Sequence, residues 1–291
     1  MLESPHLTLR SSRVRYPTGK FVVTAIVLFC TMAGAQPTDT LPDGLSLDGI
    51  LMRLQIRRWQ YSRNVPDFFA DEYVTSEMRG VRTAPINAIT ESVFRLRRVS
   101  EPGVYPPDLQ ETRVIRRTNG VTVMPGSSIA GPTVLVNAFS NGLTTITLAQ
   151  KPCYDFTISR HRDLHHTHVF AIDYRMKPNA ETTGYCMPWG NVSGQALVDP
   201  ATFNILHFDM HIPRYPVAGS IEGSWRWSID YSPVLLDGAT FYMPRRIDSV
   251  SESVDGRLMW TFIATYRNYH MTNVRSRIIT SPEEGNDTPQ R

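Results

Sequence analysis

Ser224-Trp225-Arg226-Trp227-Ser228-Ile229-Asp230-Tyr231 places Trp225, Trp227, Ile229 and Tyr231 at every second position, with Arg226, Ser228 and Asp230 between them. Alternate side chains of a strand point to opposite faces, so the stretch predicts a half-buried β-strand with an aromatic inner side. Leu258-Met259-Trp260-Thr261-Phe262-Ile263-Ala264-Thr265-Tyr266 repeats the device, with Leu258, Trp260, Phe262, Ala264 and Tyr266 on one face. Between the two, Asp237-Gly238 separates two apolar runs and signals a two-residue hairpin. Working outward, Ser193–Val198, Ile205–Ile212, Trp225–Leu235, Thr240–Asp248, Leu258–His270 and Asn273–Ile279 read as one antiparallel meander.

The preceding chain continues the pattern. Cys153–Ile158 and His168–Met176 read as a strand pair connected by Arg160–Thr167, and Thr90–Val99 and Glu111–Val123 as two more strands, the second carrying an Asn119-Gly120 turn. Val65–Ser76 leads into a first strand, and Thr133–Leu143 forms a short helix or an irregular cover. Leu45–Tyr61 is the clear helix: Leu47, Ile50, Leu51, Leu54 and Trp59 recur at helical spacing behind a Ser46 or Asp48 cap. Without βαβ alternation, the expected class is mainly β (α+β). It is an open, strongly curved antiparallel sheet, an unclosed barrel of about ten or eleven strands, with the N-terminal helix and short cover segments on one face.

The first 35 residues stand apart. They carry Arg10, Arg13, Arg15 and Lys20 against Glu3, which accounts for the formal net charge of +3 and leaves the rest of the chain neutral. The apolar run Phe21–Met32, followed by Ala33-Gly34-Ala35, reads as a Sec-type signal peptide cleaved after Ala35, and is shorter than the ~17–25 residues of a spanning helix. Residues 36–44 are then a linker, 45–281 a single β-rich domain and 282–291 a polar tail. A periplasmic or secreted protein is expected. Cys153 and Cys186 are the cysteines that remain, and a disulfide between them is the expectation in that oxidising compartment, two buried thiols being the alternative.

A neutral body excludes nucleic acid as a partner, because phosphate binding needs clustered Lys and Arg. The pairs Arg57-Arg58, Arg97-Arg98, Arg116-Arg117 and Arg245-Arg246 do not supply such a cluster, since neighbours on a strand diverge. His161, His165, His166 and His168 are weak candidates for a metal-dependent enzyme, set against an exposed His-rich loop. On a strand His207, Asp209 and His211 share a face, opposite Leu206, Phe208, Met210 and Ile212. No nucleophile elbow, metalloprotease helix motif or phosphate-binding glycine loop is found, so neither catalysis nor a cofactor is expected.

Trp225, Trp227, Tyr231, Trp260, Phe262 and Tyr266 are therefore the candidate binding residues. Under a second packed layer they are core; if the sheet curls into an incomplete barrel, they line a cavity for an acyl chain. In that case Trp227→Asp abolishes uptake without unfolding. Ile229-Asp230-Tyr231-Ser232-Pro233-Val234, Phe241-Tyr242-Met243-Pro244 and Tyr266-Arg267-Asn268-Tyr269 with Ser276-Arg277-Ile278 resemble the outer-membrane lipoprotein carrier (LolA-type) superfamily. Val65-Pro66-Asp67-Phe68-Phe69, Pro152-Cys153-Tyr154-Asp155 and Ala196–Thr202 are most similar to secreted proteins of soil bacteria such as Acidobacteria. Ala70 stands where such relatives often show a cysteine, and no one arginine matches the residue that locks the lid in carriers. The resemblance implies a half-barrel with a helical lid, an apolar cavity and no catalytic residues. The expected partners are a lipid or lipidated protein and an envelope protein, bound by a monomer; an interaction or regulatory scaffold with a packed core is the alternative.

Overall fold

A computed structural model describes residues 44–80, 84–99, 108–124, 138–164, 167–186, 190–218 and 221–272. The signal peptide, the strand expected at Asn273–Ile279 and the polar tail lie outside them. Helix α1 (Leu47–Asn64) is followed by β1 (Phe68–Arg79), β2 (Ile86–Val99), β3 (Asp108–Thr118) and the short β4 (Val121–Thr122). Helix α2 (Ala138–Thr145) precedes β5 (Tyr154–Leu164), β6 (Thr167–Met176), β7 (Ser193–Val198), β8 (Ile205–Ala218), β9 (Ile221–Leu236), β10 (Ala239–Ser253) and β11 (Met259–Met271). All eleven strands form one antiparallel sheet in the order β4-β3-β2-β1-β11-β10-β9-β8-β7-β6-β5. The terminal strands β4 and β5 do not pair, so the sheet is unclosed.

Turn chemistry sets the hairpins. Asn119-Gly120 and Asp237-Gly238 both have positive φ at each central position, as the turns that match strand twist require. Prolines mark where strands bend rather than stop. β8 runs past Pro213 and Pro216, where the expected strand ended at Ile212, because its register shifts between Ile212 and Tyr215 and again between Pro216 and Ala218. Pro244 likewise sits at a register shift in β10. Bulges accept a residue that cannot donate to the ladder.

Three further expectations are corrected. β5 extends to Leu164 and β6 begins at Thr167, so most of the supposed Arg160–Thr167 connection is strand, with Asp163 opposite His168. Leu206 does not share the face of Phe208, Met210 and Ile212; a register shift beside Val198 turns it to the other side, against Val169, Ala171 and Leu197. Trp59 is 37 % exposed beneath the Arg63 guanidinium, while the buried stripe of α1 continues through Ser62. At about 3.6 residues per turn, two turns carry Leu54 to 61 and 62, not to 59.

The core lies on the inner face of the sheet under α1. Ser46 caps the helix, its hydroxyl accepting from the Gly49 amide at 3.1 Å. Ile50, Leu51 and Leu54 are buried, each worth about 1.5–3 kcal/mol. Polar contacts tether the exposed side: Lys151 pairs with Asp48 at 2.7 Å, the Ala149 amide donates to Gln55 at 2.9 Å, and Arg98 donates to the Arg63 carbonyl. Cys153 and Cys186 form a disulfide that ties the start of β5 to the β6–β7 connection across 33 residues. Its reduction is expected to lower stability by about 3–4 kcal/mol, the loop-closure value, in urea melts with and without reductant; a loss below about 1 kcal/mol would contradict that origin.

Candidate functional site

The inner face is built in rows across the central strands. Trp225, Ser251, Trp260 and Met78 are aligned on β9, β10, β11 and β1. The next row is Trp227, Ser249, Phe262 and Ser76, and the next Ile229, Ile247, Ala264 and Val74. Because β10 contributes serines where its neighbours contribute aromatic rings, Trp225, Trp227, Trp260 and Phe262 surround a strip of small side chains. Trp227 is 3 % exposed and packs on Phe208 at 5.2 Å and on Trp225 at 6.2 Å. Phe262 is also buried, and Trp225 and Trp260 are half-buried. The three indoles differ in their polar atoms. Trp225 Nε1 donates to Ser249 Oγ at 2.8 Å, whereas the buried Nε1 atoms of Trp227 and Trp260 have no hydrogen-bond partner among the described residues.

Tyr231 and Tyr266, the other two stripe aromatics, sit one or more rows away in a polar part of the core. There Glu72 accepts from Ser92 Oγ at 2.5 Å and from Arg113 Nε at 2.8 Å. Arg113 also lies 3.7 Å from Glu111, 3.5 Å from the Tyr266 hydroxyl and over the Phe94 ring. Burial disfavours the charged guanidinium, but Tyr266, Glu72 and Glu111 outweigh it and leave its pKa raised. Burial first, and then neighbouring phenols and carboxylates, hold Tyr61, Tyr231, Tyr266 and Tyr269 well above the usual tyrosine range. Sequence reasoning missed this cluster. Glu72, Glu111 and Arg113 each occupy an inner position of the strand alternation, which was the available signal.

Helices cover the Tyr231 end of this face. Tyr61 of α1 donates to Met243 Sδ at 3.0 Å and meets Phe241 edge-on at 6.0 Å. In α2, Gly142 lies so close to the sheet that a Cβ there would stand 2.2 Å from the Tyr231 hydroxyl. Any larger residue would push the helix off β9.

On the outer face His207 and Asp209 do lie together, as expected, and Asp230 joins them: His207 Nδ1 is 2.7 Å from Asp230 and Nε2 is 3.9 Å from Asp209. The His207 hydrogen bond leads the causes that hold the Asp230 carboxyl below its ordinary value. His211 is held low by partial burial and by Arg226. Among the described residues no group of three or more His, Cys, Asp or Glu is placed to hold a metal ion. His165 and His166 lie outside the described residues; His168 is exposed on β6.

A depression of about 550 Å³ opens on the outer face between β11 and β3 and is lined by Asp71, Tyr73, Glu91, Arg116, Thr265 and Arg267 among others.

No family model matches the chain, and no curated protein matches it. Among solved structures it is similar to a DUF1329 family protein from Desulfovibrio piger, at 10 % identity over 77 % of this chain and 92 % of that one, with a TM-score of 0.42. It is also similar to a LolA superfamily protein from Nitrosomonas europaea, at 13 % identity over 81 % of this chain and 98 % of that one, with a TM-score of 0.32. Identities of this order say nothing about which side chains bind or react.

Proposed function

We propose that the chain is a non-enzymatic periplasmic or secreted protein that binds an apolar ligand, a lipid or a lipoprotein acyl chain, between the inner face of the sheet and helix α1. The observation that carries this reading is the pair of indole N–H groups of Trp227 and Trp260, buried among aromatic and small side chains without an acceptor. A finished core rarely leaves such donors unmade, since each costs about 1–3 kcal/mol. A carbonyl oxygen at the head of an acyl chain would supply the missing acceptor, and the serines of β10 are the small side chains between the rings. Entry requires α1 to lift, against the burial of Ile50, Leu51 and Leu54 and the polar contacts at its surface. The disulfide and the signal-like N-terminus support an oxidising compartment, and the motifs of the LolA-type superfamily support a carrier.

Native mass spectrometry of the mature protein, isolated from the periplasm without detergent, tests the reading. A bound mass of several hundred daltons that releases as lipid is expected. A bare polypeptide, two hydrogens light for the disulfide, would transfer the assignment to an envelope interaction or regulatory scaffold. The burial of Trp227, Tyr231, Phe262 and Tyr266 in one continuous core favours that second reading.

A further inference from the structure

The outer-face depression coincides with two irregularities of the sheet. In the β1–β11 ladder the register shifts between Phe69 and Asp71, so that Asn268, with φ of 54°, and its neighbour on β11 stand against a single residue of β1. In the β2–β3 ladder Glu91 pairs with Arg117 and Ser92 with Ile115, which leaves Arg116 as the extra residue. Bulges re-aim side chains. Both of these aim into the same hollow, since Arg116, Arg267 and Asn268 line it together. β11 and β3 are three strand spacings apart, about 14 Å, so the two arginines line the hollow from its two flanking strands, with Tyr73 of β1 between them.

The acidic groups of the hollow are already engaged. Asp71 accepts from the Asn268 amide at 2.9 Å, Glu91 lies 3.7 Å from Arg117, and Glu72 is held by Ser92 and Arg113. Among the described residues the Arg116 and Arg267 guanidiniums have no ion pair or side-chain hydrogen bond, although Asp71 stands opposite Arg267 in the ladder. With Glu91 and Glu72 each beside another arginine, the Asp71 carboxylate is left against two guanidiniums, so the balance of the lining is cationic, with the Tyr73 and Thr265 hydroxyls at hand. A tetrahedral group with three free oxygens can engage both guanidiniums at once, which a planar carboxylate cannot do as well. The hollow is larger than one anion and falls in the range of small-ligand sites.

We propose that this hollow binds a phosphate ester, clamped between Arg116 and Arg267. The site is separate from the inner face and does not depend on what binds there. Both arginines are exposed, so Arg116→Gln and Arg267→Gln should fold and melt like the parent protein. Calorimetric titration with glycerol 3-phosphate is expected to show binding that weakens with added salt, falls about tenfold or more in either variant, and is absent with glycerol. Binding of phosphatidic acid vesicles, lost in both variants and without any response to the soluble ester, supports the same clamp with a lipid phosphomonoester headgroup as the source. If the parent protein binds neither, or the variants bind as well as the parent, the proposal is overturned.

Discussion

Arg113→Leu is expected to destabilise the protein by about 3–5 kcal/mol, the cost of removing one partner from a buried ionic cluster. The Arg113 side chain is 5 % exposed and the Glu72 side chain 1 %, so neither can turn to water when the other is lost. The substitution leaves the Glu72 and Glu111 carboxylates buried beside the Tyr61, Tyr231, Tyr266 and Tyr269 rings without their shared cation, and it also uncovers the face of Phe94. Arg113→Lys should recover part of the loss, because an ammonium restores the charge but cannot reach Glu72, Glu111 and Tyr266 together from one planar group. Combining Arg113→Leu with Glu72→Gln and Glu111→Gln should recover more than the sum of the single effects predicts. Urea unfolding midpoints at neutral pH give the measurement. A loss below about 1 kcal/mol for Arg113→Leu would mean that water reaches the cluster and that the ion pair is ordinary surface chemistry.

Trp227 separates the two readings of the inner face. The sequence suggests that Trp227→Asp abolishes ligand uptake in a folded protein; at 3 % exposure and wedged against Phe208, a carboxylate there is instead expected to unfold the chain, at a cost of several kcal/mol. Trp227→Phe is the informative change. It keeps an aromatic ring on Phe208 and removes a donor that has no partner among the described residues, so the expected loss of stability is below about 1.5 kcal/mol, from volume alone. Affinity for methyl palmitate should fall about tenfold, while affinity for hexadecane, which offers no acceptor, should hardly change. Equal loss for both probes would assign Trp227 to shape alone. Failure of the parent protein to bind either would count against the apolar-ligand function as a whole, leaving the outer-face clamp untouched.

Much of the architecture is legible one residue at a time. The alternation of Trp225, Trp227, Ile229 and Tyr231 names the inner face of β9 before any partner strand is known, and the same reading places Trp260, Phe262 and Tyr266 correctly on β11. Asn119-Gly120 and Asp237-Gly238 reveal their turns because few other residues accept positive φ at both positions. The cap at Ser46 and the pairing of Cys153 with Cys186 are equally local inferences. Prolines misled where a bulge absorbs them, as at Pro213 in β8. The stripe of α1 misled at Trp59, because spacing marks a face only to within a residue, and the aromatic ring finds cover under Arg63 instead.

What the sequence determined by itself is the class of the fold, the facing of its strands and its principal turns, all of which follow from backbone periodicity and from the conformations that Gly, Asn and Asp tolerate. Tertiary structure alone decided which strands meet. β1 lies beside β11 although most of the chain separates them, and that pairing brings Glu72 to Tyr266 and puts Arg267 in one hollow with Arg116. Neither the buried cluster nor the outer hollow has a local signature. Each exists because side chains from strands distant in sequence are carried together by the ladder, and a charge two residues from the next one along a strand says nothing about the charge that will face it from another.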